Sequence, residues 1–235
     1  MAGLLIVQTG TTQLHGDYPA WFERALGFPI PVVRAHEGER LGAALDRERP
    51  RGVIVTGSAL SVVDETPWML QLGGDLLRLG ARGTPVLGVC FGMQLLGRAA
   101  GGSVVVNPRG REIGTVRVQL TEAGRRDPLF AWARAQVIEV QATHSDVVDP
   151  LPPGATVLAS NENCVAQALR FSETVAGVQF HPELSAGMMR DLIFSREEKL
   201  AEEGLDPREF ASLVREVEAG RILRAFAEQA QARIV

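Results

Sequence analysis

The residue best suited to act as a nucleophile is Cys90, which lies midway between Gly88 and Gly92. An apolar run before it predicts a buried strand over 84–89, and the run after it predicts a helix over 93–100. The two glycines allow the backbone to turn sharply there without a clashing Cβ atom. This is the arrangement of a nucleophile elbow, in which the helix N-terminus favours the thiolate. A small apolar cysteine packed at a helix start explains the segment equally well. The choice between the two interpretations depends on whether the chain offers a base for the cysteine.

A cysteine nucleophile needs a base, and the base needs a group that orients it. Among the four histidines, His181 stands out because Pro182 and Glu183 follow it at the end of a predicted strand over 174–180. Proline disfavours helical backbone at the residue before it, and in extended backbone residues i and i+2 point the same way. His181 and Glu183 can therefore hydrogen-bond on one side of the chain. A surface histidine in a strand-ending turn is the alternative, and the cysteine elbow makes that alternative the weaker one.

Alternating strands and helices in the first half of the chain would position Cys90. They predict a parallel sheet with helices on both faces, and ligands of such sheets bind at the carboxyl ends of the strands. Gly57 and Cys90 both lie at such ends. A proline in the second strand suggests that this strand lies at a sheet edge. The predicted strands cover 4–8, 30–34, 52–56 and 84–89, and the predicted helices begin near residues 18, 41 and 67.

The second half is richer in strands that alternate apolar and polar residues, as antiparallel strands do. We expect these strands to extend the same sheet, because no linker or change of composition separates the two halves. The prediction is therefore a single domain over 1–235, with a helical C-terminal extension from about 187 to 235 in which Asp206 and Pro207 begin a helix. The strands are predicted over 104–106, 114–120, 136–141, 155–159, 165–171 and 174–180, and an apolar stripe of that helix comprises Phe210, Leu213, Val214 and Val217.

Composition argues against several classes of function. The 235 residues are 46% hydrophobic with a formal net charge of −4, and neither a basic stripe for nucleic acid nor an apolar run for a membrane span is evident. Residues 1–7 lack the features of a signal peptide, and two cysteines do not make a disulfide framework, so we expect a cytoplasmic protein. No metal-ligand spacing is seen, and no metal or cofactor is expected. Cys164 is interpreted as a packed thiol and the charged run 196–199 as solvated surface.

Four motifs, taken together, resemble the class I glutamine amidotransferase family. They run in the family's order, and the similarity is greatest to stand-alone members that resemble the glutaminase domain of GMP synthase. The resemblance implies a three-layer α/β fold of the flavodoxin-like type, with a mostly parallel central sheet and an antiparallel extension. The motifs are Thr56-Gly57-Ser58 with Ser61-Val62, the elbow from Gly88 to Gln94, Thr143-His144-Ser145-Asp146, and Gly177-Val178-Gln179-Phe180-His181-Pro182-Glu183.

The resemblance also implies roles for individual residues. Cys90 would attack the side-chain amide carbon of glutamine, His181 would accept the thiol proton and later protonate ammonia, and Glu183 would orient His181. Water would then hydrolyse the γ-glutamyl thioester to glutamate. The backbone N–H groups of Gly57 and Phe91 would form an oxyanion hole. Gln94 would reach the α-carboxylate or amine end of the substrate, and further substrate contacts would come from Ser58, His144, Ser145 and Asp146.

The sequence leaves the fate of the ammonia open. No P-loop or ATP-pyrophosphatase domain is present in these 235 residues, so we expect either a separate ammonia-accepting synthetase subunit or a hydrolase acting in its own right. The same residues and fold also serve γ-glutamyl peptidases and hydrolases, which cleave γ-glutamyl amides other than glutamine. A catalytically silent binding module is a third interpretation, and the intact Cys-His-Glu positions disfavour it.

Overall fold

The computed structural model of the protein describes residues 3–232. Residues 1, 2 and 233–235 lie outside this part. The two ends of the predicted domain, and the first residues of the segment in which no signal peptide is expected, therefore lie outside the described residues. The strands are β1 (Leu4–Gln8), β2 (Val32–Arg34), β3 (Gly52–Val55), β4 (Val86–Val89), β5 (Val104–Val106), β6 (Glu112–Leu120), β7 (Val137–His144), β8 (Asp146–Val148), β9 (Thr156–Ser160), β10 (Ala168–Arg170) and β11 (Val175–Val178). The helices are α1 (Tyr18–Leu26), α2 (Leu41–Glu48), α3 (Pro67–Ala81), α4 (Phe91–Ala99), α5 (Glu122–Arg126), α6 (Ala186–Phe194), α7 (Glu197–Glu202), α8 (Pro207–Leu213) and α9 (Arg221–Ala232).

The central sheet has the strand order β2-β1-β3-β4-β11-β10-β9-β6-β7. Neighbouring strands from β2 to β11 are parallel, and those from β11 to β7 pair antiparallel. A mostly parallel sheet with an antiparallel extension is therefore confirmed, and β2 lies at the edge, as its preceding proline predicted. The parallel arrangement brings the carboxyl ends of β1, β3, β4 and β11 to one side of the molecule.

Helices cover both faces of this sheet. Side chains alternate across a strand, so Leu4 and Ile6 of β1 pack into the core on one face, with α1 and α9, while Leu5 and Val7 pack into the core on the other, with α2, α3 and α4. The result is the predicted three-layer α/β architecture. Across residues 3–232, no helix is both long enough and apolar enough to cross a membrane.

One predicted extension of the sheet is wrong. β5, expected to join the main sheet, instead pairs antiparallel with β8 in a separate two-stranded ribbon. The sequence pattern did not indicate β8, because three residues are too few to show a period. The ribbon packs on α4, since a Cβ atom at Gly97 would lie 2.9 Å from Cγ1 of Val148.

The C-terminal segment is helical, but one helix is shorter than predicted. The Asp206 side chain accepts a hydrogen bond from the backbone N–H of Arg208 and caps α8, as expected. α8 ends at Leu213, which is 53% exposed, so the apolar stripe predicted from 210 to 217 does not lie on one helix. Helix α9 supplies the main packing surface instead, with five buried residues: Ile222, Leu223, Phe226, Ala227 and Ala230.

Candidate active site

Cys90 lies in a strained turn between β4 and α4. Its φ of 50° and ψ of −105° are rare for a residue with a side chain, and its backbone N–H donates to the carbonyl of Val178 in β11. The flanking glycines are required for space: a Cβ atom at Gly88 would lie 2.5 Å from the carbonyl carbon of Gly92, and one at Gly92 would lie 2.6 Å from the carbonyl oxygen of Val55. Close packing of α4 on the sheet thus holds Cys90 at the sheet's carboxyl edge.

His181 and Glu183 form a buried pair just after β11. Nδ1 of His181 donates to Oε1 of Glu183 across 2.6 Å, and each residue is 4% exposed. The backbone N–H of His181 donates to the carbonyl of Gln141 in β7, which fixes the segment against the antiparallel half of the sheet. Oε2 of Glu183 is buried without a hydrogen-bond partner among the described residues. Within residues 3–232, the protonated imidazole is therefore the one cation that directly compensates this carboxylate.

The charge state of His181 follows from these contacts. Burial disfavours the imidazolium, but the charges of Glu183 and Cys90, together with hydrogen bonds to both, raise the pKa of His181 to about 10. The other cysteine behaves differently, because burial raises the pKa of the Cys164 thiol to about 12. The imidazole of His181 therefore has a hydrogen-bonding partner in the side chain of Cys90, whereas burial keeps the Cys164 thiol protonated.

Gly57 lies directly beside the cysteine and the histidine. A Cβ atom there would lie 2.8 Å from Cε1 of His181 and 3.7 Å from Cβ of Cys90. The loop is anchored from β1, because the Thr9 hydroxyl donates to the Gly57 carbonyl and the Thr9 N–H donates to the Thr56 hydroxyl. Phe91 is the first residue of α4, so its N–H belongs to the helix terminus and is not used within the helix. Both predicted oxyanion-hole residues thus adjoin Cys90.

The amide of Gln94 is occupied by the protein itself. Its Nε2 donates to the carbonyl oxygen of Asp146 at 2.9 Å and to Oε1 of Gln179 at 3.2 Å. The first acceptor is a backbone oxygen, which fixes the orientation of the amide. Asp146 in turn accepts a hydrogen bond from Ser61 through its carboxylate. Gln94 therefore keeps an oxygen for a substrate donor and has no N–H left for a carboxylate.

The other predicted substrate contacts hold loops and strands. The Ser58 hydroxyl donates to the Thr9 carbonyl and accepts from the Leu60 N–H, so the side chain links its own loop to the loop after β1. His144 donates through Nε2 to Glu112, a buried cross-strand neighbour, and the Ser145 carbonyl accepts from the Asn107 N–H. The contacts described for these residues are thus with other parts of the protein.

Sequence reasoning missed other polar residues at this edge. Gln179 donates to the Cys90 sulfur at 3.5 Å; its position two residues before His181 was a usable signal, since both lie on one side of extended backbone. Arg196, interpreted as solvated, is instead half-buried and donates to the Thr143 hydroxyl at 2.6 Å. Tyr18, also buried, lies edge-on against Trp21. No sequence signal indicated these last two, because helix turns bring them to the site.

Comparison with known proteins establishes the family. The model described as glutamine amidotransferase class-I matches residues 24–199, which is most of the chain and includes Cys90, His181 and Glu183. The chain belongs to the class I glutamine amidotransferase family. The family and fold expected from the sequence motifs are thereby confirmed.

This amidotransferase is similar to proteins of more than one named activity. It is 37% identical over 157 residues to a GMP synthase (glutamine-hydrolyzing) of Thermomicrobium roseum, covering 65% of this chain and 28% of that protein. It is 37% identical over 151 residues to a gamma-glutamyl-L-1-hydroxyisopropylamide hydrolase of a Pseudomonas species, covering 60% of this chain and 50% of the relative. A glutamine amidotransferase structure from Thermotoga maritima superposes with a TM-score of 0.78 at 22% identity, covering 98% of this chain and 99% of that one, and shows the shared fold. In five curated relatives, the part that this chain matches spans only 27% to 62% of the relative's length.

Proposed function

We propose that the protein hydrolyses the side-chain amide of glutamine, with Cys90 as nucleophile, His181 as acid and base, and Glu183 as the residue that orients His181. The observation that carries this proposal is the buried 2.6 Å contact between His181 and Glu183 beside a cysteine held in a strained elbow. A buried carboxylate, an imidazole and a thiol in this order match the requirements of nucleophilic catalysis.

The reaction follows from these positions. The Cys90 sulfur attacks the amide carbon, and the carbonyl oxygen becomes an anion that the N–H groups of Gly57 and Phe91 stabilise. The carbon–nitrogen bond then breaks as His181 gives its proton to the leaving nitrogen, which departs as ammonia. Water attacks the resulting γ-glutamyl thioester, His181 takes its proton, and glutamate leaves with restoration of the thiolate.

A second candidate is hydrolysis of γ-glutamyl amides other than glutamine. The hydrolase relative from Pseudomonas supports it, since its named substrate carries a γ-glutamyl group on a larger amine. The chemistry at the reacting carbon is the same in both cases. The two candidates differ only in the group that leaves with the nitrogen, and thus in the space required beyond Cys90.

Glutamate release distinguishes these candidates. Release of glutamate is measured with L-glutamine, with γ-glutamyl peptides and with a γ-glutamyl alkylamide. We expect release from at least one of them, and the substrate with the highest kcat/KM identifies the leaving group. C90S should abolish release from all three, whereas C164S, its matched control, should retain it. Equal activity of C90S and the unmodified protein would exclude the mechanism.

If glutamine is the preferred substrate, we further propose that the ammonia passes to a separate synthetase subunit in the cytoplasm. The relatives named GMP synthase (glutamine-hydrolyzing) support this, because that name couples glutamine hydrolysis to a synthesis. Addition of a purified synthetase partner, or of a native extract fraction that contains one, should raise the rate of glutamine hydrolysis. A rate that stays unchanged with every fraction would argue for an independent hydrolase.

A further inference from the structure

Arg196 presents a positive charge that no carboxylate of the described chain neutralises. It lies between α6 and α7, and over residues 3–232 no acidic side chain is within ion-pair distance of its guanidinium. Its one side-chain hydrogen bond among the described residues is from Nη1 to the hydroxyl of Thr143. Removing a cation from water without a counter-ion is costly, so this position is best explained by an anion that arrives from outside the chain.

The surroundings of Arg196 lead to the candidate active site. Thr143 follows Gln141 by two residues in β7, so both lie on the same face, and the Gln141 carbonyl holds the backbone of His181. Tyr18 packs in the same apolar cluster as Leu184, the residue after Glu183. Arg196 is thus attached to the strand that positions His181, and Tyr18 to the segment that positions Glu183.

The charges of these groups influence one another. Burial raises the pKa of Tyr18 to about 12; the Arg196 charge opposes this rise, and Cys90 and Glu183 add to it. Burial also lowers the pKa of Arg196, while Tyr18 and Cys90 act in the opposite direction. The tyrosine hydroxyl therefore remains protonated at neutral pH and can donate to an anion.

A γ-glutamyl substrate brings one anion that the reaction does not consume, its α-carboxylate. Gln94, the residue expected from the sequence to contact that end of the substrate, has both amide hydrogens engaged by Asp146 and Gln179. Its free oxygen suits the α-ammonium group, which leaves the carboxylate in need of other donors. A guanidinium fork with an adjacent hydroxyl meets this need.

We propose that Arg196 and Tyr18 bind the α-carboxylate of the γ-glutamyl substrate, while Cys90 attacks the amide at its other end. This inference rests on the proposed function. It assigns a specificity role to the turn between α6 and α7, outside the four motifs that identify the family. Thr143 acts on the substrate only by positioning Arg196.

The test compares L-glutamine with L-glutaminamide, in which a neutral amide replaces the α-carboxylate. The unmodified protein should prefer L-glutamine in kcat/KM by roughly 10- to 100-fold, the range expected for loss of a charge-assisted hydrogen bond. R196Q should lose most of this preference by losing activity on L-glutamine alone, and Y18F should lose part of it. The exposed Arg208 provides the matched control, because R208Q should keep the full preference. An R196Q variant that discriminates as well as the unmodified protein would overturn the proposal.

A second measurement separates this proposal from the proposed function and does not depend on turnover. Alkylation of Cys90 by iodoacetamide is followed in the unmodified protein with L-glutamate or isoglutamine, the α-amide of glutamate, as protecting ligand. Protection by L-glutamate at roughly ten-fold lower concentration than isoglutamine supports the carboxylate site, even if no γ-glutamyl amide is hydrolysed. Equal protection by the two ligands contradicts it, whatever the enzyme's activity and even if R196Q does not fold.

Discussion

At the scale of single residues, the candidate site is a set of charges shielded from water. Glu183 has one hydrogen-bond partner in His181, and one of its oxygens is buried without any in the described chain. The imidazolium beside it also faces Cys90. The site therefore depends on the proton of His181 both for the balance of charge in the folded state and for the proposed transfer to the leaving group.

This proton makes stability depend on pH. The pKa of His181 is about 10 in the folded protein against 6.5 for the unperturbed group, so the folded state holds the proton more tightly. The stabilisation is complete below about pH 6.5 and is lost as pH rises toward 10. Because Glu183 contributes to the raised pKa, E183Q should lose less stability between pH 6 and pH 10 than the unmodified protein, as measured by urea denaturation. Identical losses would contradict the pairing, and kcat of E183Q should fall by roughly 10²- to 10⁴-fold.

The two cysteines should differ in reactivity. A glutamine-like chloroketone should label Cys90, and free glutamine should protect it, whereas Cys164 should remain unlabelled because burial holds its pKa near 12. C164S should keep its activity and lose about 1 kcal/mol of stability. Peptide mapping after labelling checks this prediction, and a label found on Cys164 would refute it.

At the scale of elements, the site depends on how closely α4 approaches the sheet. Gly92 is the second residue of α4, and Gly42 is the second residue of α2, so the two glycines occupy equivalent helical positions. Their surroundings differ: a Cβ atom at Gly92 meets the Val55 carbonyl at 2.6 Å, while one at Gly42 meets nothing within 4 Å. The pair separates the effect of packing from that of helix propensity.

G92A should destabilise the protein by about 1–3 kcal/mol and reduce activity, because α4 and Cys90 must shift away from β3. G42A should instead be neutral or stabilise by up to about 1 kcal/mol, since alanine favours helix and has room. Thermal denaturation of both variants, together with a glutaminase assay, checks this difference. Equal effects of the two changes would show that α4 is not tightly packed.

The elements were predictable wherever a local pattern and a sheet partner agreed. The strands of the parallel half and the start of α8 at Asp206 follow from buried apolar runs and capping residues, and the cysteine, histidine and glutamate of the candidate site could be selected from their spacing. β8 was too short to show a period. Arg196 stands beside the exposed Glu197, Glu198 and Lys199, and only the turn between α6 and α7 brings it to β7, so its burial is a tertiary effect.

At the scale of the whole molecule, the last described helix completes the core of the first strands. A Cβ atom at Gly52 in β3 would lie 2.8 Å from Cβ of Ala230, and Phe226 is 2% exposed in the same cluster as Leu4 and Phe22. Both ends of the described chain therefore contribute to one hydrophobic core. This supports the proposal that the sheet and the C-terminal helices unfold as a single unit.

F226A should lower the free energy of unfolding by about 3–5 kcal/mol, because it leaves a cavity under the sheet. If the sheet and the C-terminal helices form one cooperative unit, circular dichroism and Cys90 reactivity should report the same shifted transition. Two separated transitions, with the cysteine still protected after α9 has unfolded, would contradict this unit. The exposed Leu213 supplies the control, since L213A should change stability by less than about 0.5 kcal/mol.

The pairing of β4 with β11 sets the order in which this protein gains its chemistry during synthesis. β4 ends at Val89, immediately before Cys90, whereas β11 begins at Val175 and precedes His181. A ribosome thus delivers the thiol long before the imidazole, and the intervening strands and ribbon must be made before the two can meet. Because closing so long a loop is slow compared with local helix formation, the nascent chain carries Cys90 without its proposed base. The proposed site is therefore complete only after β11 has been made and has inserted beside β4.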